Sequence, residues 1–96
     1  MTAERLVLEY LAWNKTSVIK PTRAIQDLCP TWCDLHHGAN HTPVTYNRAW
    51  QRLVKEGHVR VLKDWREGNA RVCKIAPISL KEVKKFDRIP HGGGNG

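Results

Sequence analysis

Residues 42–57, TPVTYNRAWQRLVKEG, constrain the fold of this chain most, because they encode a helix together with both of its ends. Apolar residues recur there at the three- and four-residue spacing that lines one face of a helix. Thr42 is placed to cap the first turn, Pro43 fits the first helical position, and Gly57 suits the left-handed residue that ends a helix. The predicted apolar face consists of Tyr46, Ala49, Trp50, Leu53 and Val54.

The polar face of this predicted helix carries the residue types that read DNA. Arg, Asn and Gln present paired donors and acceptors that match base edges in a major groove. An ordinary solvated helix surface has a similar composition, so the helix alone leaves both interpretations open. The polar residues are Asn47, Arg48, Gln51, Arg52 and Lys55.

Charge is distributed unevenly along the chain. Residues 1–44 hold four cations and four anions, whereas residues 45–96 hold twelve cations and five anions, so the whole excess of seven lies in the second half. One-sided basicity of this kind is the electrostatic pattern expected for a polyanionic partner. Nucleic acid is the leading candidate, and an anionic membrane surface is the second.

The size and composition of the chain argue against several classes of protein. Its 96 residues suffice for one core but leave little room for a deep enzyme pocket. No apolar run approaches a membrane span, and the first residues do not resemble a secretion signal. Three cysteines favour thiols over a disulfide scaffold. We therefore expect a cytoplasmic protein, nucleoid-associated if bacterial, with no membrane partner and no small-molecule substrate.

The remaining elements follow from periodicity and turn residues. A first helix capped by Thr2 and ending near Asn14 should bury Leu6, Val7, Tyr10 and Leu11. A fourth helix should begin after Ser79, which forms a capping box with Glu82. The other predicted elements are an edge strand at 17–20, a second helix at 21–28, hairpin strands at 58–65 and 71–76 around a turn at 66–70, and a flexible Gly-rich tail at 91–96.

This order resembles the winged helix-turn-helix family of DNA-binding domains. The likeness is carried by TRAI at residues 22–25, by TYNRAWQRLVKEGHV at residues 45–59, and by the hairpin that follows. The central run looks like the recognition helix of bacterial regulators related to the MarR and GntR families. The resemblance implies an α+β fold with a three-helix core, a short strand and a β-hairpin wing over residues 1–76. The C-terminal helix at residues 77–90, predicted from its own sequence pattern, is additional to this domain.

The resemblance also implies which residues bind DNA. It orients Thr45, Asn47, Arg48 and Arg52 to the major groove, and Lys63, Arg66 and Arg71 of the wing to the backbone or minor groove. Gln51 and Lys55, on the same polar helix face, complete the predicted set. The function implied is sequence-specific binding of double-stranded DNA by a small transcriptional or replication-control regulator of a bacterium, phage or mobile element. The alternative is a winged-helix module that docks another protein.

Residues 29–41, CPTWCDLHHGANH, depart from that pattern as an insertion between the second and third helices. Two Cys and two His recur every four residues, which admits a zinc site if the chain folds back after Gly38. The segment lacks CxxC spacing, so we expect no metal and instead an apolar plug. The four zinc candidates are Cys29, Cys33, His37 and His41, and the plug would consist of Cys29, Trp32 and Leu35.

Catalysis, the tryptophans and oligomerisation complete the expectations. Cys33 beside His36 or His37 lacks accompanying oxyanion donors, a phosphate loop or paired carboxylates, so no enzyme and no cofactor are expected. Trp65 at the charged hairpin tip either packs across the strands, which we favour, or stacks on a base. The other tryptophans, Trp13, Trp32 and Trp50, are assigned to the core. Leu80, Val83 and Phe86 of the fourth helix either form a homodimer face, which is our hypothesis, or cover the first helix.

Overall fold

Over the residues that the structure describes, the protein is an α+β domain of four helices and a three-stranded antiparallel sheet. A computed structural model describes residues 2–88, with the side chains of residues 87 and 88 excepted. The predicted tail at residues 91–96 lies outside this part. The helices are α1 (Ala3–Trp13), α2 (Pro21–Arg23, Ala24–Leu28 and Cys29–His37 in direct succession), α3 (Pro43–Lys55) and α4 (Leu80–Arg88); the strands are β1 (Val18–Ile19), β2 (Val61–Glu67) and β3 (Ala70–Ile75).

The core forms where α1 packs against α3 on one side and α4 on another. Leu6, Val7 and Leu11 of α1 are fully enclosed, as the apolar stripe predicts. The sheet has the order β1-β3-β2, so the short strand β1 pairs with the second strand of the hairpin, Val18 opposite Lys74. No described helix combines the length and apolarity needed to cross a membrane.

Helix α3 confirms the predicted amphipathic helix and both of its ends. The Thr45 N–H donates to the Thr42 hydroxyl over 3.2 Å, which satisfies one of the backbone donors left unpaired in the first turn. Gly57 adopts φ +82°, and the His58 N–H donates to the Leu53 carbonyl over 2.9 Å, which closes the C-terminal turn. The buried face keeps Tyr46 and Trp50 inside the core.

The hairpin forms, but its first strand begins later than predicted. Alternation of Val59 and Val61 suggested a strand from residue 58, yet the Val59 N–H donates to the Leu53 carbonyl as part of the end of α3. The turn is also tighter than predicted. Glu67 pairs with Ala70, so only two residues connect the strands, and Gly68 at φ +62° takes the left-handed conformation of a two-residue hairpin turn.

Residues 29–41 do not form a separate insertion, because α2 runs without interruption from residue 21 to residue 37. Pro30 has no N–H, and in a regular α-helix its ring collides with the carbonyl four residues before it. The π-helical stretch Ala24–Leu28 widens the turn just before Pro30, and the Cys29 N–H donates to the Ala24 carbonyl five residues back. Gly38, at φ +62°, ends the helix as predicted.

Two assignments to the interior are wrong. Trp13 lies in the last turn of α1 and is 58% exposed. In this turn Leu11 and Ala12 face the core, so the Trp13 side chain lies on the solvent side of the helix. Leu35 is 76% exposed, so the expected apolar plug is incomplete. The phase of α2 after the π-helical stretch directs Cys29 and Cys33 inward and leaves Leu35 outside.

Helix α4 covers the core rather than offering a free dimer face. The Glu82 N–H donates to the Ser79 hydroxyl over 3.2 Å, which confirms the predicted cap. Val83 and Phe86 are buried against the rest of the chain, and α4 packs on α1. Leu80 remains largely exposed. A homodimer would therefore need a surface other than the one formed by Val83 and Phe86.

Candidate nucleic-acid interface

The outer surface of α3 carries a polar stripe directly opposite its buried face. This stripe consists of Arg48, Gln51 and Lys55, which are all exposed and whose spacing of three and four residues keeps them on one line along the helix. The exposed apolar Val44 continues the same line towards the start of α3. Within residues 2–88, Arg48, Gln51 and Lys55 make no ion pair and no side-chain hydrogen bond. The stripe therefore offers its donors to an external partner.

Two further predicted residues flank this stripe. Thr45 is half-buried, and its hydroxyl lies 2.9 Å from that of Thr42, so it takes part in capping the helix. Asn47 is half-buried on the other flank. Both lie in the first turns of α3, where side chains reach deepest when a helix enters a groove end-first.

Arg52 is held by the protein itself. Its guanidinium donates to the carboxylate of Glu4 in the first turn of α1 over 2.6 Å. Because the pair is solvent-exposed, it contributes about 0–1 kcal/mol, and a stronger anionic partner can displace it. Sequence periodicity placed Arg52 on the polar face of α3 but gave no indication of its contact with α1.

On the hairpin, Arg71 is engaged in a two-pronged ion pair with Asp64. Arg71 Nη2 and Nε lie 2.6 Å and 3.1 Å from the Asp64 Oδ2 atom. Hydrogen bonding from Arg71 holds the pKa of the Asp64 carboxyl below its usual value. The thiol of Cys73, opposite Asp64 across the strands, has a raised pKa because of its burial and the nearby carboxylate. Arg71 is therefore compensated in the free protein.

The other face of the hairpin is built around Trp65. The ring is half-buried and stands opposite the buried Val72, which agrees with the favoured cross-strand packing. The ammonium of Lys63 lies 5.5 Å from the centre of the ring, and the indole N–H donates to Glu67 over 3.1 Å. Lys63 stays exposed and has no ion pair in the described part of the chain.

Arg66 faces a cleft that the sequence did not indicate. The hairpin tip folds over the start of α2 and encloses about 700 Å³ between them. Arg66 and Arg71 line one wall, and Lys20 and Arg23 line the other. Only the pairing of β1 with β3 brings these walls together, so spacing along the sequence carries no direct signal of the cleft.

The four residues weighed as zinc ligands do not converge. The thiols of Cys29 and Cys33 lie 3.7 Å apart, but His37 is 2.8 Å from Glu9 and His41 packs edge-on against Tyr46. No group of three or more potential ligands able to hold a metal ion occurs among the residues described. The hydrogen bond to Cys33 and burial raise the pKa of the Cys29 thiol.

The proposed pairing of Cys33 with a histidine base is also not formed. The Cys33 thiol contacts Cys29, whereas the His36 ring lies 2.9 Å from the Trp32 carbonyl and stacks on the Trp32 ring. Beside these groups lies the buried Tyr46 hydroxyl, whose pKa is raised by its burial and by its interaction with the Cys33 thiol.

The geometry thus supplies an outward stripe of donors on α3 and a cluster of cations between α2 and the hairpin. Such groups bind anions and hydrogen-bond acceptors. Comparison with protein-family models, with curated proteins and with solved structures finds no match to this chain.

Proposed function

We propose that this chain is a winged helix-turn-helix protein that binds double-stranded DNA in a sequence-specific manner. The order of its helices, the sheet order β1-β3-β2 and the hairpin after α3 support this architecture. The observation that carries the proposal is the outer stripe of α3, whose Arg48, Gln51 and Lys55 face solvent without partners in the described structure. The protein would act in the cytoplasm as a small transcriptional or replication-control regulator, on the nucleoid if its source is bacterial.

In this proposal α3 is the reading element. Arg48 can form two hydrogen bonds to a guanine edge, and Gln51 can pair with an adenine edge. Lys55, at the last turn, suits a phosphate. Lys63 and Arg66 on the hairpin would neutralise further phosphates, which supplies affinity without sequence preference.

The two arginines that form ion pairs in the free protein would also contact DNA, but each would first have to leave its carboxylate partner. Arg52 and Arg71 are bound to Glu4 and Asp64 in the free protein. Both ion pairs are exposed, so their disruption costs little compared with a charge-assisted bond to phosphate. DNA binding would exchange each carboxylate for a phosphate oxygen.

The proposal is tested by replacing Arg48 with Ala. A preferred duplex is first selected from a random pool, and binding isotherms are then measured on that duplex and on random DNA. If Arg48 pairs with a base, Arg48→Ala should lose about 1–3 kcal/mol on the preferred duplex and little on random DNA. Lys84→Ala on α4 removes the same charge from a groove beside α1 and serves as the control.

Equal binding of both DNAs by the Arg48→Ala variant and by the parent would contradict the assignment of α3 as the reader. Failure of the parent to bind any duplex would remove the proposal altogether. In that case the protein-docking function moves ahead, because exposed Val18 and Leu28 line a groove of about 280 Å³ together with Tyr10. An apolar groove of this kind suits a side chain of a partner protein.

A further inference from the structure

The cleft between the start of α2 and the hairpin tip, at about 700 Å³, is larger than three other concave sites of the described structure, which measure about 220–390 Å³. One wall is the first two turns of α2, with Lys20, Thr22 and Arg23. The other wall is the tip of the hairpin, with Arg66 and Asn69. None of the α2 residues belongs to the surface of α3 described above.

The charges around the cleft favour an anion. Lys20, Arg23 and Arg66 are exposed and form no ion pair with any described residue. Arg71 adds a fourth cation, although Asp64 compensates it. Asp27 is the one acidic residue in the lining. Three cations without an ion pair therefore meet here from the two walls, and their mutual repulsion, only partly offset by Asp27, favours the entry of an anion.

The neutral lining groups add directional donors to this charge. Thr22 contributes a hydroxyl on one wall, and Asn69 contributes an amide on the other. Arg side chains match the geometry of phosphate oxygens through two parallel N–H donors, and hydroxyl and amide groups commonly complete phosphate contacts. The composition therefore fits a phosphate better than a single small anion such as chloride.

The size and polarity of the cleft identify the ligand more closely. A volume of about 700 Å³ lies within the range of roughly 300–1,000 Å³ typical of sites for whole small molecules, and exceeds what one phosphate needs. Ala70 is the only apolar residue in the lining, and four of the other seven lining residues are cations, so charge distinguishes this cleft from an apolar groove.

We infer that this cleft binds one phosphodiester of a nucleic-acid strand together with its adjoining sugar. The inference rests on the proposed function and adds Lys20, Thr22 and Arg23 to it. A strand whose bases face α3 would then be gripped at a second point, between α2 and the hairpin. Asp27 limits the affinity of this contact, because its carboxylate repels the phosphate.

The first test uses duplex binding at several salt concentrations. Arg23→Ala and Lys20→Ala should each reduce the slope of log affinity against log salt by about one, and at 0.1 M salt each should weaken binding roughly eight-fold. Arg23→Lys keeps the charge and should retain most of the slope, while Asp27→Asn should tighten binding. Lys84→Ala again serves as the control.

The second test does not depend on duplex binding. A 5′-phosphorylated thymidine dinucleotide is titrated into the parent protein, and backbone amide NMR signals are followed. Shifts concentrated at Thr22, Arg23 and Asn69, and lost in Arg23→Ala, would support the site. Inorganic phosphate should shift the same signals only at much higher concentration.

The two tests distinguish a failure of the cleft as a phosphate site from a failure of the proposed binding of double-stranded DNA. If the parent binds duplex and both α2 variants behave like Lys84→Ala, the cleft is not a phosphate site and the reading role of α3 stands. If the dinucleotide shifts the cleft signals but no duplex binds, the cleft is a nucleotide site and double-stranded DNA is the wrong partner. Equal responses to inorganic phosphate and dinucleotide would overturn the nucleotide assignment.

Discussion

At the scale of single residues, Asp64 acts as an internal competitor for the predicted DNA contact of Arg71. Its carboxylate accepts hydrogen bonds from Nε and Nη2 of Arg71, the same fork that would grip a phosphate. In the proposed DNA complex, the guanidinium that binds Asp64 in the free protein would bind a phosphate instead. If the proposed function is right, the Asp64–Arg71 pair weakens DNA binding by an amount that can be measured.

Replacing Asp64 with Asn should strengthen DNA binding. The substitution keeps the shape of the side chain but releases Arg71, so the affinity should rise on all duplexes alike, whereas the salt slope, which follows the number of phosphates contacted, should change little. Isotherms on random DNA measure both quantities. Unchanged binding would show that Arg71 does not reach a phosphate.

The pH dependence of stability tests the Asp64–Arg71 ion pair independently of DNA binding. Arg71 lowers the pKa of Asp64, so the pair stabilises the fold above the carboxyl's unfolded pKa, near 4, and this contribution disappears as pH falls through the lowered folded pKa. NMR titration of the Asp64 carboxyl should show that pKa returning towards its ordinary value in Arg71→Ala. In the control variant Lys74→Ala, which changes a different cation on β3, the pKa of Asp64 should remain lowered.

At the scale of elements, the sequence predicted those helices whose start and end are both encoded locally. Thr42, Pro43 and Gly57 delimit α3 as predicted, and Ser79 begins α4. The second helix was the exception, because Pro30 is ordinarily a stop signal. A change of hydrogen-bonding pattern to π-helical just before a proline is not visible in apolar periodicity, so the continuous α2 was missed.

Helix α4 should stabilise the monomer. Phe86 is buried and its ring meets that of His58 edge-on with centres 4.9 Å apart, while Val83 is enclosed beside α1. Phe86→Ala should lower the free energy of unfolding by about 3–5 kcal/mol, because it removes a large buried side chain. Urea denaturation measures the loss.

The exposed Leu80→Ala variant is the matched control and should change stability by less than about 1 kcal/mol, because surface substitutions rarely do more. Light scattering on both variants separates folding from association. A Phe86→Ala protein that kept the parent's stability but lost a dimer would reverse the role assigned to α4.

At the scale of the whole molecule, only part of the candidate site could be predicted from the sequence. The stripe of α3 follows from helical periodicity, which is a local property. The pairing of Arg52 with Glu4, and the meeting of Lys20 and Arg23 with Arg66, depend on how distant segments pack. Net charge indicated a polyanionic partner for the second half of the chain, yet two of the cleft's uncompensated cations come from the electrically balanced first half.

The pairing of β1 with β3 also predicts an order of events when the chain folds. Val18 and Lys74 are 56 positions apart, whereas β2 and β3 are joined by two residues, so we expect the hairpin to form first and β1 to join after the helices between them have packed. During synthesis, the sheet stays incomplete until residue 75 has left the ribosome. Pulse-labelled hydrogen exchange should find the Ile75 N–H, which bonds to the Ser17 carbonyl over 2.8 Å, protected later than the amides shared by β2 and β3; simultaneous protection would mean that the three strands assemble in one step.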